Sequence, residues 1–128
     1  MKILLHDTFA QVREECHIKP KAFVAGISRG AHLAQRYAWA YPDSVSAISV
    51  IIAVTYDPPE LQARDIPFLV ITGDFDPVDA VEITQEFTHA LQRNGFSVEE
   101  HILPGVGHVV NKEMITLTTD FYRRTSGE

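Results

Sequence analysis

Ser28 stands at the centre of Gly26-Ile27-Ser28-Arg29-Gly30, a Gly-x-Ser-x-Gly pattern. A serine hydroxyl is a poor nucleophile until a base takes its proton, and the base needs an acid to orient it. Downstream the chain offers both: Asp76 in Asp74-Phe75-Asp76-Pro77, and His108 at the end of Gly105-Val106-Gly107-His108. Such a trio attacks an acyl carbonyl through the serine, passes the proton through the histidine, and leaves an acyl-enzyme that water cleaves. The backbone N–H of Arg29, next to the nucleophile, is placed to meet the oxyanion that develops in that attack.

Alone, the Gly-x-Ser-x-Gly pattern is weak, since chance produces it in roughly 4% of chains of this length. Its setting adds weight. It follows the apolar run Phe23-Val24-Ala25 and opens an Ala-rich helical segment, the strand–turn–helix context in which a serine projects from a sharp turn and small glycines permit close packing. Each residue also has a bland reading. Ser28 suits a helix N-cap. Asp76 suits an N-cap before Pro77, with Asp79 completing a capping box. His108 suits a surface loop, and Asp74 competes with Asp76 as the acid.

The elements that would carry these residues alternate. Ala22–Ile27 reads as a buried strand and Ser28–Tyr41 as a helix stopped by Pro42. Val45–Val54 reads as a second buried strand. Thr55–Pro67, with three prolines, is the one long irregular stretch. Phe68–Thr72 reads as a third strand ended by Gly73. A helix follows from Asp76-Pro77 to Asn94-Gly95, with Val81, Phe87 and Leu91 on its apolar face. Ser97–Leu103 alternates weakly, as an edge strand would, and 111–124 reads as a last helix. Before Ala22, the stripe Leu5, Phe9, Val12, Cys16 has helical spacing. Thr8 and Gln11 also fit a capping box that would start that helix later and leave 1–5 as a strand; both readings stay open. Alternating strands and helices imply a parallel sheet with right-handed crossovers. A parallel sheet gathers its strand C-termini, and so Ser28, Asp76 and His108, along one edge.

The remaining candidates are weaker. Glu82, Glu86 and His89 share a helical face at metal-ligand spacing, but a polar face opposite Val81, Phe87 and Leu91 is expected anyway. Glu99, Glu100 and His101 lie in a strand and alternate faces, so they are not expected to converge. His32 falls one helical turn past Ser28. Cys16 lies on the apolar stripe and reads as buried and inert. No cofactor and no metal site is implied; Gly105-Val106-Gly107 lacks the third glycine of a dinucleotide fingerprint.

Composition sets the outer bounds. The chain has 128 residues, 45% hydrophobic and 22% charged, with a net charge of -6. That suits one domain with one core. Without a Lys/Arg cluster, nucleic acid and anionic membranes are not expected partners. One cysteine excludes an internal disulfide. No segment has the length of a signal-peptide core or a membrane span, so a soluble, cytoplasmic protein is expected.

Four segments in order resemble the C-terminal half of an α/β-hydrolase: Phe23–Ala31 as nucleophile strand, elbow and helix; 41–45 as the link to the next strand; 66–78 as the acid segment; and 104–108 as the histidine loop. The resemblance runs from about Lys19 to Arg124. It implies a three-layer αβα sandwich with a mostly parallel sheet of about four strands, in effect a truncated α/β-hydrolase fold. It further implies a serine hydrolase of carboxylesterase type, with Ser28 as nucleophile, His108 as base, Asp76 as acid and Arg29 N–H as oxyanion donor. The family's usual spacing of three residues between glycine and acid favours Asp76 over Asp74.

Strands that precede the nucleophile strand in the family, with the loop that supplies a second oxyanion donor, have no counterpart. The Ala22–Ile27 edge is then expected to pair, which suggests a homodimer. The short Thr55–Asp65 stretch, where relatives insert a lid, points to an open site for small or accessible esters. The second functional reading is a catalytically weak or inactive fragment or minimised fold that acts as an interaction module.

Overall fold

The computed structural model describes residue 11, residues 21–76 and residues 79–126. The stripe Leu5, Phe9, Val12, Cys16 and the possible strand at 1–5 lie outside the described residues. Among the described residues from 21 onward, four strands, β1 (Ala22–Ile27), β2 (Val45–Ile51), β3 (Phe68–Gly73) and β4 (Val98–Leu103), alternate with three α-helices. The helices are α1 (Arg29–Ala40), α2 (Ala80–Arg93) and α3 (Lys112–Ser126). All three strand pairings are parallel, in the order β1-β2-β3-β4. The expected layered α/β architecture is therefore present, with every pairing among the described strands parallel.

Hydrophobic patterning explains the strand order. The runs Val-Ser-Ala-Ile-Ser-Val-Ile and Phe-Leu-Val-Ile-Thr-Gly carry almost no polar alternation and occupy the two central positions, where both faces are covered. Every residue of β3 is buried. The weakly alternating β4 takes one edge and buries only Leu103 fully, while half-buried β1 takes the other. A sheet that grows in one direction puts successive crossover helices on one face. There α1 and α2 pack Ala34, Trp39, Phe87 and Leu91 against Ile48, Val50, Phe68 and Val70. On the other face α3 packs Met114 and Phe121 against Ile51, Leu69 and Ile71. Burial of one such side chain contributes roughly 1.5–3 kcal/mol.

Two boundaries and one apolar stripe differ from the sequence reading. The second strand ends at Ile51 rather than Val54, because Ile52 turns to φ 45° while its N–H bonds Ile71 O at 2.8 Å. A β-branched residue rarely adopts that conformation. The helix expected from Asp76-Pro77 starts at Ala80, and Asp79 makes no side-chain cap. The buried stripe of α2 is Ala80, Thr84, Phe87, Thr88 and Leu91; Val81 is half-buried, since two threonines occupy core-facing positions that hydrophobicity alone does not mark. The expected stop at Asn94-Gly95 is a two-bond glycine terminus: Gly95 at φ 83°, with Gly95 N–H to Gln92 O and Phe96 N–H to Leu91 O. Among the described residues no helix is long and apolar enough to cross a membrane.

Candidate active site

Parallel pairing brings the C-terminal ends of β1, β3 and β4 to one edge, and each is followed by one of the three chemistry-bearing residues. At the end of β1 the chain turns directly into α1. Ser28 sits on that turn at φ 56°, ψ -119°, a strained conformation for a residue with a side chain and one that clusters at functional sites. Its N–H bonds Ile51 O at 2.8 Å, tying the turn to the neighbouring strand.

The turn is possible because Gly26 has no side chain: a Cβ there would stand 2.2 Å from the Gly30 carbonyl oxygen. Gly30 has no such constraint, since a Cβ would meet nothing within 4 Å. The expectation that both glycines serve close packing therefore holds for Gly26 alone among the described residues.

Ser28 Oγ lies 2.9 Å from His108 Nε2, and His108 Nδ1 lies 2.6 Å from Asp76 Oδ2. The Asp76 side chain is shielded from solvent, whereas that of His108 is 33% exposed. A buried carboxylate on one ring nitrogen and a hydroxyl on the other fit an imidazole that donates to Asp76 and accepts from Ser28. Arg29 N–H is the first amide of α1 and has no backbone acceptor among the described residues. Asp74 lies outside this row, and its Oδ1 accepts the Gly105 N–H at 2.7 Å.

Next to the row, α1 holds down the segment that follows β2. His32 Nε2 bonds Asp57 Oδ1 and Arg36 Nε donates to Asp57 Oδ2, each at 2.9 Å. Gln35, fully buried, donates to Asp57 O at 2.7 Å and accepts from Asp57 N–H at 2.9 Å. Trp39 Nε1 donates to Pro58 O at 3.1 Å. The Arg36 guanidinium holds the Asp57 carboxyl below its ordinary range, with help from His32. His32 is thus an anchor for residues 55–58. The spacing of His32, Gln35, Arg36 and Trp39, which puts them on one face of an Ala-rich helix, was the available signal. A cleft of about 550 Å³ lies between this segment and α2, lined by Tyr56, Glu86, Phe87, His89 and Arg93 among others. None of Ser28, Asp76 and His108 lines it.

Two other expectations resolve plainly. Glu99 and His101 do meet, at 2.8 Å, because residues two apart share a strand face; Arg124 of α3 completes the group on Glu99 with contacts of 2.9 and 3.2 Å. Glu82, Glu86 and His89 all lie on the exposed side of α2, and no metal-ligating group of three or more occurs among the described residues.

This arrangement of sheet, turn and loops is the α/β-hydrolase fold. Solved structures with the same fold include the esterase PE8, at 25% identity with a TM-score of 0.82, covering 97% of this chain and 60% of that one. SOBER1 of Arabidopsis thaliana aligns at 23% identity with a TM-score of 0.78, covering 96% and 62%. A Bacillus cereus carboxylesterase aligns at 16% with a TM-score of 0.80, covering 97% and 59%. The chain thus spans about 60% of the length of the structures it matches. No protein-family model matches the sequence, and neither does any curated protein.

Proposed function

We propose that the protein is a serine hydrolase that cleaves carboxylic esters through Ser28, His108 and Asp76. The observation that carries the reading is the continuous row from Ser28 Oγ to His108 Nε2 and from His108 Nδ1 to Asp76 Oδ2, on a serine held in a strained turn. In this reading Ser28 attacks the acyl carbonyl while His108 takes its proton. Asp76 stabilises the imidazolium, Arg29 N–H donates to the oxyanion, and His108 returns the proton to the leaving alcohol. Water then repeats the sequence on the acyl-enzyme. The esterase and carboxylesterase among the matched structures support ester chemistry in general.

The substrate surface is open in this reading. Ile27, Phe75 and Val109, chain neighbours of the three residues, are exposed apolar side chains and suit the alkyl parts of a small, accessible ester. The same proposal carries a homodimer covering the β1 edge; a monomer by light scattering at micromolar concentration counts against that part.

Hydrolysis of p-nitrophenyl acetate by the wild type and by Ser28→Ala tests the reading. A fall of at least about 10³ in kcat is expected for the variant, and equal activity in both sinks it. An inactive wild type that fluorophosphonate does not label would favour the non-catalytic module.

A further inference from the structure

We propose that Asp74 is a positioning residue, whose carboxylate clasps the loop carrying His108 and so sets the distance from His108 to Ser28. This rests on the hydrolase reading and adds a residue to it. Two short segments are fastened together, 73–75 at the end of β3 and 103–106 at the end of β4. Asp74 N–H bonds Leu103 O at 3.0 Å and Phe75 N–H bonds Val106 O at 2.9 Å. At Gly73 the two backbones are in contact: a Cβ there would stand 2.2 Å from Val106 O. The clasp itself is the Gly105 N–H donating to Asp74 Oδ1 at 2.7 Å, a charge-assisted bond at the short end of its range.

The histidine loop depends on such fixings. Residues 104–107 contain two glycines, and Gly105 is at φ 73°, so the loop has wide backbone freedom, and Val106 is its one side chain packed against the core. None of its four residues is buried. His108 follows the clasp by three residues. Asp74-Phe75-Asp76 thus works at two points, holding the base of the loop through Asp74 and the imidazole through Asp76. An error of about 1 Å in a proton-transfer geometry costs on the order of 10² in rate. The clasp needs an oxygen acceptor at residue 74, which a neutral amide also supplies though more weakly, whereas the site opposite His108 needs the charge of Asp76.

The test compares Asp74→Ala, Asp74→Asn and Asp76→Asn in the full chain, with kcat and KM on p-nitrophenyl acetate and amide exchange at Gly105 by NMR. Asp74→Ala should lower kcat by about 10- to 100-fold with KM little changed, and Gly105 exchange should quicken at least about 10-fold. Asp74→Asn keeps the acceptor, so kcat should stay within about 3-fold and Gly105 should stay protected. Asp76→Asn should lose on the order of 10⁴ in kcat with Gly105 still protected. Wild-type Gly105 exchanging at the rate of a free loop overturns the proposal. So does an Asp74→Asn variant that loses more than about 10-fold in kcat, and both readouts remain if Asp74→Ala does not fold. If the wild type proves inactive, the hydrolase reading fails while Gly105 exchange still decides the clasp.

Discussion

Substituting Gly26 and Gly30 one at a time separates the glycine that shapes the nucleophile turn from the one that only completes the sequence pattern. At Gly26 a Cβ would meet Gly30 O at 2.2 Å, Gly30 C at 2.6 Å and Ala31 Cα at 2.8 Å. These are backbone atoms at the start of α1, so no side chain can swing away. Reaching even 3.0 Å requires β1 and α1 to separate by about 0.8 Å, and Ser28 lies between them. A displacement of that size could stretch the 2.9 Å contact with His108 to as much as about 3.7 Å, beyond hydrogen-bond range.

Gly26→Ala should therefore lower kcat/KM by about 10² or more and stability by about 1–3 kcal/mol, as overpacking does. Gly30→Ala fills open space on a helix and should be neutral or add up to about 1 kcal/mol, with activity retained. Urea denaturation and ester turnover on both variants provide the check. Equal activity in the two, or a Gly30→Ala variant as impaired as Gly26→Ala, would refute the reasoning.

Two further outcomes are expected. Gln35→Leu keeps the volume but strips both bonds from the Asp57 backbone; it should cost about 2–3 kcal/mol by denaturant titration and make residues 55–58 more sensitive to limited proteolysis, and an unchanged digestion pattern would contradict the anchoring role. Asp57, held below its ordinary range by Arg36 and His32, should stabilise the fold fully above its unfolded value near about 4 and lose that contribution as pH falls through the lower folded value. The stability gap between wild type and Asp57→Asn should therefore be present at pH 7 and close on acidification below about pH 4; a gap constant with pH would contradict the charge pairing.

What the sequence made legible follows from where chemistry and patterning coincide. Continuous apolar runs mark β2 and β3 because strands covered on both faces have no polar alternation to obscure them. Ser28, Asp76 and His108 could be singled out because each lies just beyond the C-terminal end of a strand, two of them edge strands, and parallel pairing brings those ends together whatever lies between. The misses have a common cause, in that they concern direction and approach rather than residue type. The left-handed turn at Ile52, the freedom at Gly30 against the crowding at Gly26, and the contact of Gly73 with Val106 depend on how closely two backbones pass. The spacing from Gly73 already favoured Asp76 over Asp74 as the acid; what the sequence did not show is the partner of Asp74, the Gly105 N–H. Glu99 and His101 were in principle legible from the two-residue period of a strand.

Fluorophosphonate labelling followed by peptide mass mapping tests the central claim most directly, because the probe reacts with an activated serine and reports its position. The account predicts a single adduct, on Ser28, formed far more slowly when His108 is replaced by alanine. Labelling that bypasses Ser28, or proceeds at the wild-type rate without His108, would contradict it.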